Sequence, residues 1–396
     1  MEVKSGYEQA TVATTPEAWR DELLGDHVRI TSGESPSLFH FATSGLPYFK
    51  VEQLSNSEKH LDTFSTPYHY ERGKTVPRGS VIFAKRGAAI ALNKVRILAQ
   101  ESFMDTNLMA LTPTEELDGE FLYYAIGYIG LWRFADTTSV PQINNKHVKP
   151  LPFPLPKLAE QRAIAEVLGD VDALLGSLEQ LITKKRDLKQ AAMQQLLTGK
   201  KRLPGFRGEW EMKRFGEITF PRKERVDPRR SGIQEFCVEL EHIKAGTGNL
   251  VGSNSTGDNS SLKSVFRKGD VLFGKLRAYL RKYWLADRAG VCSTEIWVFA
   301  SGARLIMSAY LFQLVQSDHF IESASTAYGT HMPRSDWNVV KNYELRLPSL
   351  PEQTAIAEVL SDMDAELAAL EQRLAKTRDL KQGLMQELLT GKTRLV

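Results

Sequence analysis

The sequence predicts an α+β chain: two mixed α/β globular domains separated by two long helices that form an antiparallel coiled coil with pseudo-twofold character. Three observations carry this reading. The segment Leu155–Leu203 returns without gaps as Leu347–Leu395, 192 residues on, with 33 of 49 positions unchanged. Both copies place apolar residues at alternating steps of four and three. The stretches before each copy instead break into short apolar runs punctuated by glycine and proline, the pattern of strands and turns. A gapless repeat of this length marks a tandem duplication, and whatever the chain recognises is expected to have two halves.

Four segments follow in order: a first globular domain over residues 1–154, a first helical segment over 155–205, a second globular domain over 206–346 and a second helical segment over 347–396. Fragments of the two globular domains still align. Arg78–Ile90 (RGSVIFAKRGAAI) resembles Lys268–Leu280 (KGDVLFGKLRAYL), each a strand entering a basic turn. Asp105–Leu111 resembles Ser293–Phe299, and Ser139–Lys149 stands in the place of His331–Lys341 with Pro141 and Pro333 in register. Elsewhere the domains have diverged far more than the helical segments, so discrimination is expected to reside in them.

Each helical segment carries the marks of one long helix. Leu350-Pro351-Glu352-Gln353 puts proline and an acid in the first turn, where a missing N–H and the helix dipole favour them. The apolar series Ile164, Leu168, Val171, Leu175, Leu178, Ile182 is repeated by Ile356, Leu360, Met363, Leu367, Leu370, Leu374. Its average spacing of about 3.5 residues is that of a coiled-coil seam. Gly199 and Gly391 supply the C-terminal stops. At about 1.5 Å per residue each helix would be a rod of roughly 60 Å. An antiparallel pair of such rods would hold the two globular domains at opposite ends.

Composition excludes several classes. At 42% apolar and 25% charged residues the chain is of ordinary globular type. No apolar run approaches 18 residues and the opening MEVKSGYEQA lacks the features of a signal peptide, so neither a membrane span nor export is expected. Cys237 and Cys292 have no metal-ligand spacing, and two cysteines point to a reducing, cytoplasmic setting rather than a disulfide framework. Gly269–Lys275 follows the phosphate-loop spacing but ends at Leu276, which offers no hydroxyl for magnesium. No nucleophile elbow, zinc-protease motif, paired-cysteine motif or dinucleotide fingerprint occurs, and no catalytic or metal site is predicted.

The net charge of +3 is uninformative, but its distribution is not. Lys74, Arg78, Lys85, Arg86, Lys94 and Arg96 form an acid-free basic run in the first domain. Between Lys263 and Arg288 the second domain has eight basic residues against two acids, among them Lys275, Arg277, Arg281 and Lys282. Basic surfaces at corresponding places suit contacts to nucleic-acid phosphates. The polar, proline-anchored segments before each helix carry Gln142, Asn144 and Asn145 in one domain and His331, Arg334 and Ser335 in the other. Asn and Gln can bond adenine through two contacts and Arg can do so with guanine, so these are candidate base readers.

The order of these parts resembles the specificity subunit of type I restriction–modification enzymes. The resemblance is carried by LPKLAEQRAIAEVL and LPSLPEQTAIAEVL at the helix starts, LLTGKKRLPGF and LLTGKTRLV at their ends, and the paired strand-turn fragments. It covers nearly the whole chain. It implies two target-recognition domains, each reading half of a split double-stranded DNA sequence, with the helices as spacer and docking surface. It further implies two methylation subunits that bring S-adenosylmethionine, and up to two restriction subunits that bring ATP- and magnesium-dependent activity, the chain itself binding no cofactor. Two other classes compete with this reading: a coiled-coil scaffold that never touches DNA, and an enzyme with a cryptic nucleotide site around Gly274 and Lys275.

Overall fold

Each globular domain is closed by a two-stranded ladder joining its entry to its exit. In the first, Arg20–Leu23 pairs antiparallel with Pro152–Leu155; in the second, Glu211–Arg214 pairs antiparallel with Glu344–Leu347. Just beyond each entry strand a glycine lies against backbone: Gly25 N–H donates to Lys149 O at 3.1 Å and Gly216 N–H to Lys341 O at 2.9 Å. A Cβ at either position would come within 2.9 Å of that lysine, so only glycine permits the approach. The computed structural model describes residues 19–35, 37, 42, 44–71, 73–136, 140–257, 261–300, 305–326 and 333–395.

Two long helices follow the exits, Leu158–Leu196 and Leu350–Leu389. The chain forms two compact units, Met1–Glu179 with Arg373–Val396, and Gln180–Gln372. The division crosses the order of the segments, because each unit takes part of both long helices.

In the first unit a five-stranded sheet has the order Val28–Ser32, Leu108–Pro113, Val81–Ala84, Val95–Leu98 and His60–Leu61, antiparallel except for its last pair. The helix Gly119–Ile129 is held at its start by the Asp118 carboxylate, which accepts from Glu120 N–H and Phe121 N–H. It buries Phe121, Leu122 and Ile126 in one cluster with Phe153, Ile164 and Leu168. Leu388 and Leu389, from the far end of the second long helix, complete that cluster.

The second unit repeats the scheme. Tyr283–Leu285, Val271–Gly274 and Ile296–Phe299 form an antiparallel three-stranded sheet, beside a four-stranded sheet running Arg225–Val226, Lys263–Phe266, Gly290–Ser293, Cys237–Val238. Phe215, Phe273, Phe299 and Phe320 share one core with Ile356 and Leu360 of the second helix and with Met193, Leu196 and Leu197 of the first. The first two positions of each expected seam thus lie in a globular core, because the helix starts are folded into the domain they leave.

Within each unit the two helices run antiparallel, as the order of their ion pairs shows. In the first, Glu160 meets Arg394, Asp172 meets Lys381 at 2.6 Å and Glu179 meets Arg378 at 2.6 Å. In the second, Glu352 meets Arg202 at 2.5 Å, Asp364 meets Lys189 at 2.5 Å and Glu371 meets Arg186 at 2.5 Å. These are the same three pairs at the 192-residue shift, with the roles of the helices exchanged. Gly199 and Gly391 sit at φ +70° and +72° after the last turns, the left-handed conformation that ends a helix cheaply only at glycine.

The helix starts are fixed by two buried glutamines. Gln161 Oε1 accepts from Asp118 N–H at 2.7 Å, and its amide donates to Glu116 O and Pro156 O, each at 2.9 Å. Gln353 does the same with Met307 N–H at 2.9 Å and with Leu305 O and Pro348 O at 2.9 Å. Replacing either by alanine strands three backbone groups, one buried and two part-buried. Each of Gln161→Ala and Gln353→Ala is expected to cost about 2–4 kcal/mol in denaturant unfolding, and the two costs should add because they fall in different compact units. A loss under about 0.5 kcal/mol for either would show that those backbone groups find other partners.

Candidate nucleic-acid interface

The basic turn and the polar pre-helix segment, far apart in each sequence copy, are stitched together by backbone hydrogen bonds. In the first unit Ile143 N–H donates to Lys85 O at 2.8 Å and Gly87 N–H to Pro141 O at 2.9 Å. In the second, Ser335 N–H donates to Lys275 O at 2.8 Å and Arg277 N–H to Pro333 O at 2.8 Å. A third strand end anchors each lysine: Lys85 N–H donates to Asn107 O at 2.9 Å, Lys275 N–H to Glu295 O at 3.0 Å. The same three-way junction therefore recurs in two domains whose loops have otherwise diverged.

The turns share a backbone device. Gly87 (φ +80°) and Asn93 (φ +47°) bracket a short helical turn, Ala88–Leu92; Arg277 (φ +53°) and Arg281 (φ +52°) bracket another, Ala278–Leu280. Ile90 and Ala278 are the buried anchors, while Leu92, Tyr279 and Leu280 are exposed. Reading by charge alone singled out the arginines and lysines of these turns and passed over the apolar residues at their tips. The signal available was a tyrosine and leucine set among four basic residues.

The candidate side chains fall into three groups. Arg86 and Arg277 are exposed, Lys275 is half-buried, and none has a side-chain partner among the described residues. Gln142 is half-exposed at a bridge to Arg86, and Asn145 is exposed at the start of the short helix Asn145–Val148. Asn144 caps that helix, its N–H donating to His147 Nδ1 at 3.0 Å. Arg334 is exposed, and its Nε donates to Glu295 Oε2 at 3.0 Å. In the second group Lys85 and Lys94 donate to Ser32 Oγ at 2.9 Å and Ser55 Oγ at 2.6 Å, single neutral contacts at the surface. Burial, with the Arg86 charge beside it, holds the Lys85 ammonium below its ordinary range.

The third group is engaged with the fold: two of its four side chains are buried and two are partly exposed. Arg96 is buried, donating to Ser57 O and Val95 O at 2.6 Å each, so it serves the fold rather than an exposed surface. Ser335 is buried and donates to Ala324 O at 2.6 Å. Lys282 Nζ donates to Leu240 O at 2.5 Å, and Arg281 is held by Gln316 O at 3.2 Å and by the Asp318 carboxylate. Burial raises Asp318, but the hydrogen bond and charge of Arg281 together with the amides of Gln194 and Gln190 outweigh it and leave the carboxyl below its usual range. The reason is common to all four: charge and polarity along the chain do not reveal which heads turn inward to backbone carbonyls. His331 lies outside the described residues.

The phosphate-loop spacing is explained by a strand. Val271–Gly274 lies mid-sheet, Gly269 makes the turn before it at φ +87°, and the Asp270 carboxylate accepts two bonds from Arg222 at 2.7 and 2.9 Å. Burial pushes the Cys237 thiol up to about 11 and that of Cys292 higher still, which disfavours the thiolate of each. Among the described residues no group of three or more His, Cys, Asp or Glu could hold a metal, and no helix is long and apolar enough to cross a membrane.

The chain matches the family described as the type I restriction modification DNA specificity domain twice, over residues 16–186 and 208–377. It is similar to the type I restriction enzyme MjaVIII specificity subunit of Methanocaldococcus jannaschii, with 23% identity over 96% of this chain and 94% of that one. It is also similar to the EcoDI specificity subunit of Escherichia coli, with 22% identity over 64% of this chain and 65% of that one. Among solved structures, one on complex assembly and conformational transition of the type I R-M system superposes with a TM-score of 0.58 at 17% identity, covering 96% of this chain and 100% of that one. The S subunit of a type I system from M. genitalium gives 0.55 at 17% identity, covering 93% and 96%. Two family matches covering most of the chain place it: it belongs to the specificity subunits of type I restriction–modification systems, which are non-catalytic recognition subunits.

Proposed function

We propose that this chain reads a split double-stranded DNA sequence, one half with each compact unit, for a cytoplasmic complex that contains two methylation subunits and up to two restriction subunits. The methylation subunits would bring S-adenosylmethionine and the restriction subunits ATP and magnesium, and the long helices would be their docking surface. One observation supports this above the rest: the junction of basic turn and polar segment recurs in both units on the same three backbone anchors. A surface built twice, with Arg86 or Arg277 unpartnered among the described residues and Gln142 or Arg334 on the adjoining segment, has the parts needed to neutralise phosphates and to meet base edges. Two modest contacts on one chain become one strong contact when the second is intramolecular.

The test is co-expression with the neighbouring methylation subunit and genome-wide mapping of methylated bases. The expected product is a motif of two defined halves flanking unspecified base pairs. Exchanging residues 16–154 for the corresponding domain of a relative should change one half and spare the other. A continuous motif, or an exchange that alters both halves, would contradict the reading.

Single side chains separate base from phosphate contacts. Arg334→Ala should relax preference within one half-site by about 1–3 kcal/mol, because Glu295 aims a guanidinium that can bond guanine through two N–H groups. Arg86→Ala and Arg277→Ala should instead weaken binding to every sequence and lower the salt slope by about one each. Titrations at several salt concentrations with matched and mismatched duplexes give both quantities; a uniform loss for Arg334→Ala would make it a phosphate contact.

A further inference from the structure

We infer that Tyr279 is an aromatic wedge that stacks on or between bases in the half-site read by the second unit, with Leu92 as its apolar counterpart in the first. This rests on the DNA-reading proposal above and adds to it a means of recognition other than hydrogen bonding.

The tip is built to present this ring. Arg277 and Arg281 hold left-handed backbone at φ +53° and +52°, a conformation that costs a side-chain-bearing residue energy and persists where the surroundings enforce it. Leu280 N–H donates to Arg277 O at 2.8 Å and Arg281 N–H to Ala278 O at 2.9 Å, closing the turn on itself. Ala278 is buried beneath, and Arg277 N–H is tied to Pro333 O. Tyr279 is left 54% exposed, with no hydrogen bond, ion pair or ring contact among the described residues. Leu280 beside it is 40% exposed.

Charge around the tip selects the occupant. Among the described residues Arg277 and the half-buried Lys275 have no side-chain partner, and Arg334 lies on the segment bridged to this turn through Leu276. An apolar protein surface would leave those cations unpaired, whereas duplex DNA offers phosphates to them and base faces to the ring. Apolar side chains entering a base step partly unstack it, a readout that depends on how easily that step deforms. In the first unit Gly87 and Asn93 likewise bracket the turn at positive φ, +80° and +47°, and leave Leu92 64% exposed on it. Two diverged domains therefore keep an exposed apolar tip on a turn bracketed by positive-φ residues.

The test uses the full chain in complex with its methylation subunits and a pool of random-sequence duplexes, selected by wild type, Tyr279→Ala, Tyr279→Phe and Leu92→Ala. The expected result for Tyr279→Ala is loss of preference at adjacent steps of one half-site and roughly tenfold weaker binding to the wild-type motif. Its salt slope should stay unchanged, and Tyr279→Phe should restore both properties. Leu92→Ala should blur the other half-site only. An unchanged motif and affinity for Tyr279→Ala would overturn the inference, as would an equal loss on every sequence. Loss of methylation subunits from the complex with the motif intact would show that the tip binds protein instead. Failure of the wild-type complex to select any sequence would be a different failure, removing the DNA-reading proposal and this inference together.

Discussion

The fold depends on a buried carboxylate at the start of each long helix, closed by an arginine from the far end of the other. Glu160 and Glu352 are 0% and 1% exposed. Each accepts from a tryptophan, Trp19 Nε1 at 3.1 Å and Trp210 Nε1 at 3.0 Å, and each takes a two-pronged bond from an arginine, Arg394 or Arg202. Those arginines also lie over the tryptophan rings, at 5.8 and 5.4 Å from the centroids. An unpaired carboxylate at that depth would be strongly disfavoured, so neither unit is complete until the exit of the other copy's helix has arrived. The exchanged arrangement follows from this: each compact unit comprises its own domain, the start of its own helix and the end of the other.

This constraint explains which parts of the duplication stayed alike. The helix-entry and helix-exit residues of both copies meet across one contact, so a change in Glu160 must be matched at Arg394 and a change in Glu352 at Arg202. The buried glutamines beside them satisfy backbone groups of the domain and are equally restricted. The exposed residues around Arg86, Gln142, Arg277 and Arg334 meet no such demand. They can differ between copies while the backbone junction beneath them is kept, since Pro141 and Pro333 offer the same carbonyl to Gly87 and Arg277. Fixed scaffold and variable surface are thereby separated at the level of single residues.

Much of the architecture was legible in the sequence because it is written in local patterns. The 4-3 spacing gave two long helices, Gly199 and Gly391 gave their ends, and the glycine-punctuated runs gave the strands that carry Val81–Ala84 and Val271–Gly274. What local pattern cannot carry is partnership at a distance. Glu352 was read as an acid suited to a first helical turn, whereas its decisive partner is Arg202, 150 residues away. The charge runs named Arg96 and Lys282 beside Arg86 and Arg277, since sequence does not distinguish a head turned toward Val95 O or Leu240 O from one turned to solvent. The polar segments are legible in the sequence, but they are joined to the basic turns by backbone hydrogen bonds, which no local pattern marks.

The exchanged carboxylate lock is tested most directly by hydrogen–deuterium exchange on the full chain carrying Arg394→Ala. Removing that arginine leaves Glu160 with Trp19 as its one partner among the described residues. The amides of Arg20–Leu23, of Phe153 and Leu155, and of the first turns after Leu158 should exchange faster, while Glu211–Arg214, Glu344–Leu347 and the turns after Leu350 keep wild-type protection. Arg202→Ala should give the opposite pattern. Unchanged protection around Glu160, or equal loosening in both units, would contradict the claim that each unit is closed by the other copy's helix end.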